Sequence, residues 1–81
     1  MKADLVLNLS GLFCPMPLLK TKKALNDLQV GQIICVISTD PQAVEDFKAF
    51  SKQTSNTLLD VKMDDKVFRF LIQKGKPPLS S

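Results

Sequence analysis

Residues 4–9 alternate, with Leu5, Leu7 and Leu9 on one side and Val6 and Asn8 on the other. A period of two predicts a strand. Ser10 and Gly11 break it, and Leu12 and Phe13 make a short apolar loop. The spacing then becomes helical. Leu18, Thr21, Leu25 and Leu28, with Ala24 beside them, predict a helix from Pro15 to about Leu28. Lys20, Lys23 and Asp27 fall on its wet side, and Gly31 is placed to end it. Ile33 to Ile37 is an unbroken, β-branched apolar run, as a central strand requires.

A second helix opens at Asp40, a capping residue, with Pro41 at the first helical position. Ala43, Val44, Phe47 and Phe50 form its inner stripe, and Thr54 to Asn56 end it. Thr57 to Met63 alternates again, with Leu59, Val61 and Met63 on one face. Asp64 and Asp65 form a tight connection to a last strand from Lys66 to Lys74. In that strand Phe68, Phe70 and Ile72 oppose Val67, Arg69, Leu71 and Gln73.

The order β-α-β-α-β-β predicts an α/β two-layer sandwich, of the kind also described as α+β. Right-handed crossovers put both helices on one face of a four-stranded sheet and leave the other face open to solvent or a partner. Residues 1–75 read as a single domain, and 76–81 as a flexible polar tail.

Composition narrows the chemistry. The chain of 81 residues has 11 Lys+Arg, 8 Asp+Glu and no histidine. A net charge of +3 with scattered lysines reads as a solvated surface. Without histidine there is no Cys–His nucleophile pair and no Cys/His zinc site, and nothing calls for a cofactor. The two cysteines, Cys14 and Cys35, are too far apart for a CxxC dithiol. No apolar run reaches the ~18 residues of a membrane span. The first residues lack the apolar core and cleavage pattern of an export signal, so the expected location is cytoplasmic.

The stretch "GLFCPMPLLK" concentrates the chemistry. Two prolines one residue apart are tolerated only in a first helical turn, where no helical hydrogen bond is lost. With Cys14 at the cap, Pro15 and Pro17 occupy the first and third helical positions and stiffen the entrance. The thiol then faces the positive end of the helix dipole, which favours thiolate, aided by a free Met16 N–H. Apolar Leu12, Phe13 and Met16 oppose this if they shield the sulfur. A small buried filler remains the other reading of Cys14, and mid-strand Cys35 reads as such a filler. Phe13 either docks a partner or tucks into the core.

These motifs resemble the TusA/SirA/YedF family of small sulfur carriers over nearly the whole chain. "LNLSGLFCPMPLLK" carries the Cys-Pro-x-Pro pattern after the first strand; "VGQIICVISTDP", "VEDFKAF" and "FRFLIQKG" continue the likeness. The resemblance implies strand order 1-2-4-3 and a persulfide on Cys14. The donor is then a cysteine desulfurase or rhodanese-like protein. The acceptor is a relay protein serving tRNA thiolation, molybdenum-cofactor maturation or sulfur oxidation. Pro15 and Pro17 carry over as the motif prolines, Asp40 as the acidic residue before the second helix, and Lys22 as a basic partner-facing position. Leu12, Phe13 and Met16 complete the expected docking surface. The chain departs from common family features at Ser51, at Asn56-Thr57 and at Asp64-Asp65, none of them in the Cys14 motif. A nucleic-acid-binding regulator and a thiol redox sensor are the competing readings.

The helix-entrance placement predicts that Cys14 is more acidic than an ordinary thiol. Its alkylation rate should rise with pH through an inflection below the ~8.5 of free cysteine. An inflection at or above that value would show that apolar shielding outweighs the dipole.

Overall fold

The computed structural model describes residues 3–13 and 16–76. It contains β1 (Leu5–Asn8), α1 (Met16–Asn26), β2 (Ile33–Ser38), α2 (Gln42–Gln53), β3 (Thr57–Asp64) and β4 (Val67–Gln73). The sheet order is β1-β2-β4-β3, with β1 parallel to β2 and the other pairings antiparallel. The expected two-layer fold is therefore the observed one. The expected tail, beyond Lys76, lies outside the described residues.

Strand alternation sorts the sheet into two faces. One cross-sheet row is Leu5, Ile34, Ile72 and Leu58; the next is Leu7, Val36, Phe70 and Val61. Ile34, Val36, Phe70 and Ile72 are fully buried beneath Leu25 of α1 and Ala43, Phe47 and Phe50 of α2. The Phe47 and Phe70 rings lie 4.6 Å apart at 37°, a tilted pair that joins α2 to the sheet. The opposite rows, Val6–Cys35–Leu71–Asp60 and Asn8–Ile37–Arg69–Lys62, form the open face.

Three local details differ from the sequence reading. The β3–β4 register shifts between Leu58 and Asp60, leaving Leu59 as the extra residue of a bulge. Leu58 and Val61 therefore pack on the core and Leu59 leaves the expected face; Met63 keeps the Val61 face, opposite Phe68, but is 70% exposed. Helix α1 stops at Asn26, short of Leu28, in a tightened turn where Asp27 N and Leu28 N donate to Ala24 O and Leu25 O, each at 3.1 Å. Lys74 Nζ donates to the Leu28 carbonyl at 2.6 Å, so β4 closes that helix end. Gly31 does not end the helix. Its φ of +92° serves the turn into β2, where its N–H donates to Lys74 O at 2.8 Å.

At the other helix, Asp40 acts as expected. Its Oδ1 accepts the Gln42 N–H at 3.1 Å and its carbonyl accepts the Ala43 N–H at 3.0 Å. Pro41, at φ −60° and ψ −28°, already has helical geometry and behaves as the first helical residue.

This burial map predicts graded stability losses. Ile34→Val should cost about 0.5–1.5 kcal/mol in urea unfolding. Met63→Ser should cost less than about 0.5 kcal/mol. Equal losses at both positions would contradict the assignment of core and surface.

Candidate functional site

The site is built from the loop after β1 and the first turns of α1. Leu9 is buried, and its N–H donates to Ile37 O at 2.7 Å, which extends the β1–β2 pairing. The chain then turns sharply. Asn8 Oδ1 accepts from Ser10 N at 3.1 Å and from Ser10 Oγ at 2.7 Å. Gly11 follows at φ +85°, a left-handed conformation that side chains resist. Its N–H donates to Thr39 Oγ1 at 2.9 Å, which ties this loop to the one that opens α2. Leu12 folds under the loop, half-buried against the core, while Phe13 points outward at 65% exposure.

Cys14 and Pro15 lie outside the described residues. The structure defines the corner on either side of them. Met16 N donates to Phe13 O across the pair at 2.9 Å. The Met16 N–H is thus committed and does not assist a thiolate, contrary to the sequence reading. Helix α1 carries no acid in its first turn, so no side-chain charge there opposes an anion.

The inner face of α1 is held by Pro17, Thr21 and Leu25, all buried. Thr21 Oγ1 donates to Pro17 O at 2.8 Å. Pro17 therefore packs inward as well as stiffening the entrance; its four-residue spacing from Thr21 was the signal for this. The outer face carries Met16, 41% exposed, and Leu19, 50% exposed, beside exposed Lys20 and Lys23. Leu19 was not among the expected contact residues, although it falls off the buried stripe and three positions after Met16. Phe13, Met16 and Leu19 are large apolar side chains left exposed on either side of the Cys14 motif in the chain, or just after it.

The other expected residues divide. Lys22 is exposed, with Nζ 5.9 Å from the Phe50 ring centroid. Asp40 is only 6% exposed and caps α2, so it organises the neighbouring loop and offers a partner little surface. Cys35 is not the buried filler expected of a mid-strand cysteine. It is half-exposed on the open face, beside Asp60, Lys62, Arg69 and Leu71. Ser51 accepts the Leu58 N–H and donates to Asn56 O, both at 3.2 Å, so it fastens α2 to β3. Among the described residues, no cluster of acids, cysteines or histidines could hold a metal ion. No described helix is long and apolar enough to cross a membrane.

Two helices on one face of a 1-2-4-3 sheet, with a Cys-Pro-x-Pro motif in the chain between the first strand and the first helix, define a small two-layer α/β class. The family model for sulfurtransferase TusA matches residues 5–74. Sulfur carrier protein TusA of Allochromatium vinosum is 51% identical over 72 residues, covering 89% of this chain and 95% of that protein. The putative sulfur carrier protein YrkI of Bacillus subtilis is 47% identical over 75 residues, covering 93% of this chain and all of the relative. A crystal structure of a SirA-like protein from Desulfitobacterium hafniense matches with a TM-score of 0.68 at 21% identity, covering 89% of this chain and 99% of that one. That likeness concerns the fold alone. The chain belongs to the TusA family of sulfur carriers.

The division of the corner into packed and exposed residues predicts divergent effects. Leu12→Ser should lower stability by about 1–3 kcal/mol, because it exposes core-facing surface. Phe13→Ser combined with Leu19→Ser should leave the melting temperature nearly unchanged. A stability loss for the double variant as large as that for Leu12→Ser would place the patch in the core.

Proposed function

We propose that this protein accepts sulfane sulfur as a persulfide on Cys14 and hands it to the cysteine of an acceptor protein. The observation that carries the reading is the exposure of Phe13, Met16 and Leu19, large apolar residues close to Cys14 in the chain. Relatives named as sulfur carriers support it.

In the loading step the Cys14 thiolate attacks the terminal sulfur of a donor persulfide. A new S–S bond forms at Cys14 as the donor S–S bond breaks, and the donor cysteine departs as thiolate. No net oxidation occurs. In the discharge step an acceptor thiolate attacks the outer sulfur of the Cys14 persulfide, and Cys14 is the leaving group. Both steps need in-line approach of a sulfur carried by another protein, so the thiol must stand where a second surface can reach it. Phe13, Met16 and Leu19 supply apolar contact, and Lys20, Lys22 and Lys23 supply charge. Prolines at the entrance limit the motion lost on docking. A resolving thiol close to Cys14 would expel the sulfur as hydrogen sulfide by forming a disulfide. Cys35 lies on the open face of β2, and the motif itself contains no second cysteine.

The donor is a cysteine desulfurase or a rhodanese-like protein, and the acceptor a relay protein of tRNA thiolation, molybdenum-cofactor maturation or sulfur oxidation. The work is carriage in the cytoplasm, with no bound cofactor and no direct contact with nucleic acid. Incubation with a desulfurase, pyridoxal phosphate and cysteine, followed by intact mass measurement without reductant, tests the reading. Wild type and Cys35→Ser should gain the mass of one sulfur atom, removable by reductant; Cys14→Ser should not. Normal loading of Cys14→Ser would refute the assignment.

A further inference from the structure

The two helices end side by side, and between their last turns lies a cleft of about 470 Å3. It lies at the far end of α1 from the cysteine corner, about 15 Å along the axis by the helical rise. Its volume falls in the range of small-molecule sites, roughly 300–1,000 Å3. Leu25 and Phe50 line its apolar part, and each is at most 5% exposed. Lys22 and Lys74 line it, the Lys22 Nζ 5.9 Å from the Phe50 ring centroid and the Lys74 Nζ held on Leu28 O, and exposed Asn26 and Gln53 line its rim. Neither amide side chain bonds to another described residue.

The sign of the field decides the ligand class. No carboxylate is among the lining residues, and two lysines are. The converging helix C-termini oppose them with about half a negative charge each. Lys74 already answers one of these ends through Leu28 O. Two positive charges against roughly one negative leave the cleft net positive. Its walls are fixed by fold contacts that no ligand supplies. Gly75 N donates to Asn56 Oδ1 at 3.1 Å, and a Cβ on Gly75 would overlap the Ser55 carbonyl, so the chain after β4 is pressed against the α2–β3 turn.

We propose that this cleft is a binding site for a small organic anion with a flat apolar body. The ring or chain fills the cleft, meeting the edge of Phe50 that reaches its floor and the aliphatic stems of Lys22 and Lys74. The anionic group meets Lys22 and the Asn26 and Gln53 amides at the rim. This site is separate from sulfur carriage and does not depend on it.

The test uses the full chain labelled with 15N and three matched probes: 2-naphthoate, 2-naphthylmethanol and 2-naphthylmethylammonium. The naphthoate should shift amide signals of residues 22–26 and 50–56 and saturate. The neutral alcohol should bind at least fivefold more weakly, and the cation more weakly still. Gln53→Glu and Asn26→Asp, which add a carboxylate at exposed rim positions, should each weaken naphthoate binding at least fivefold while lowering the melting temperature only slightly, as an acid at a helix C-terminus does. Shifts confined to residues 12–20, equal binding of the three probes, or full affinity in both acidic variants would each overturn the proposal.

Discussion

Parallel pairing of β1 with β2 is the constraint on which the rest of the molecule depends. Two neighbouring parallel strands cannot be joined by a hairpin, so the chain must cross over through α1. Both strands then end at the same edge of the sheet. The loop leaving β1 and the loop leaving β2 become neighbours there, joined by the Gly11–Thr39 hydrogen bond of 2.9 Å. That edge is where open α/β sheets expose their functional groups. The cysteine motif occupies this edge because of the pairing.

The core gives the corner its rigidity. Leu9 and Leu12 anchor the loop from below, and Pro17, Thr21 and Leu25 seat the helix that follows. Outside that anchored frame the sequence leaves Phe13, Met16 and Leu19 in water. Such exposure forgoes stability that a chain of this size could use, since a small domain buries only about 60% of its unfolded surface. On the proposed reading, a docking patch for a second protein accounts for it. A capped and buried Asp40 holds the adjacent loop, so the patch rests on two fixed helix entrances.

Much of this was legible in the chain. Helical stripes such as Ala43, Phe47 and Phe50, and alternation such as Phe68, Phe70 and Ile72, carry their period openly. What the sequence hid depends on tertiary geometry. The bulge at Leu59 turns Leu58 inward because β4 fixes the register on both sides of it, and a single-strand period cannot encode that. The end of helix α1 is closed by Lys74, 46 positions beyond Leu28, which donates to the Leu28 carbonyl. Cys35 belongs to a run apolar at almost every position, so only the pairing of β2 reveals that its side chain faces the open side. Leu12 and Phe13 are adjacent apolar residues with opposite fates, settled by a turn whose direction Gly11 and Thr39 set. Leu19 was hidden by its own hydrophobicity, although its helical phase points outward.

The central claim is that the position of the corner, rather than the mere presence of a thiol, selects Cys14 for sulfur transfer. Cys35 makes this a strict comparison, because it is a second thiol that is only half-buried, on the open face of the sheet. The direct measurement is peptide mapping of wild-type protein after brief loading by a protein donor, with persulfides trapped by alkylation. The sulfane sulfur should be found on the peptide containing Cys14, with Cys35 recovered as the plain alkylated thiol. Comparable persulfide at both cysteines would contradict the account.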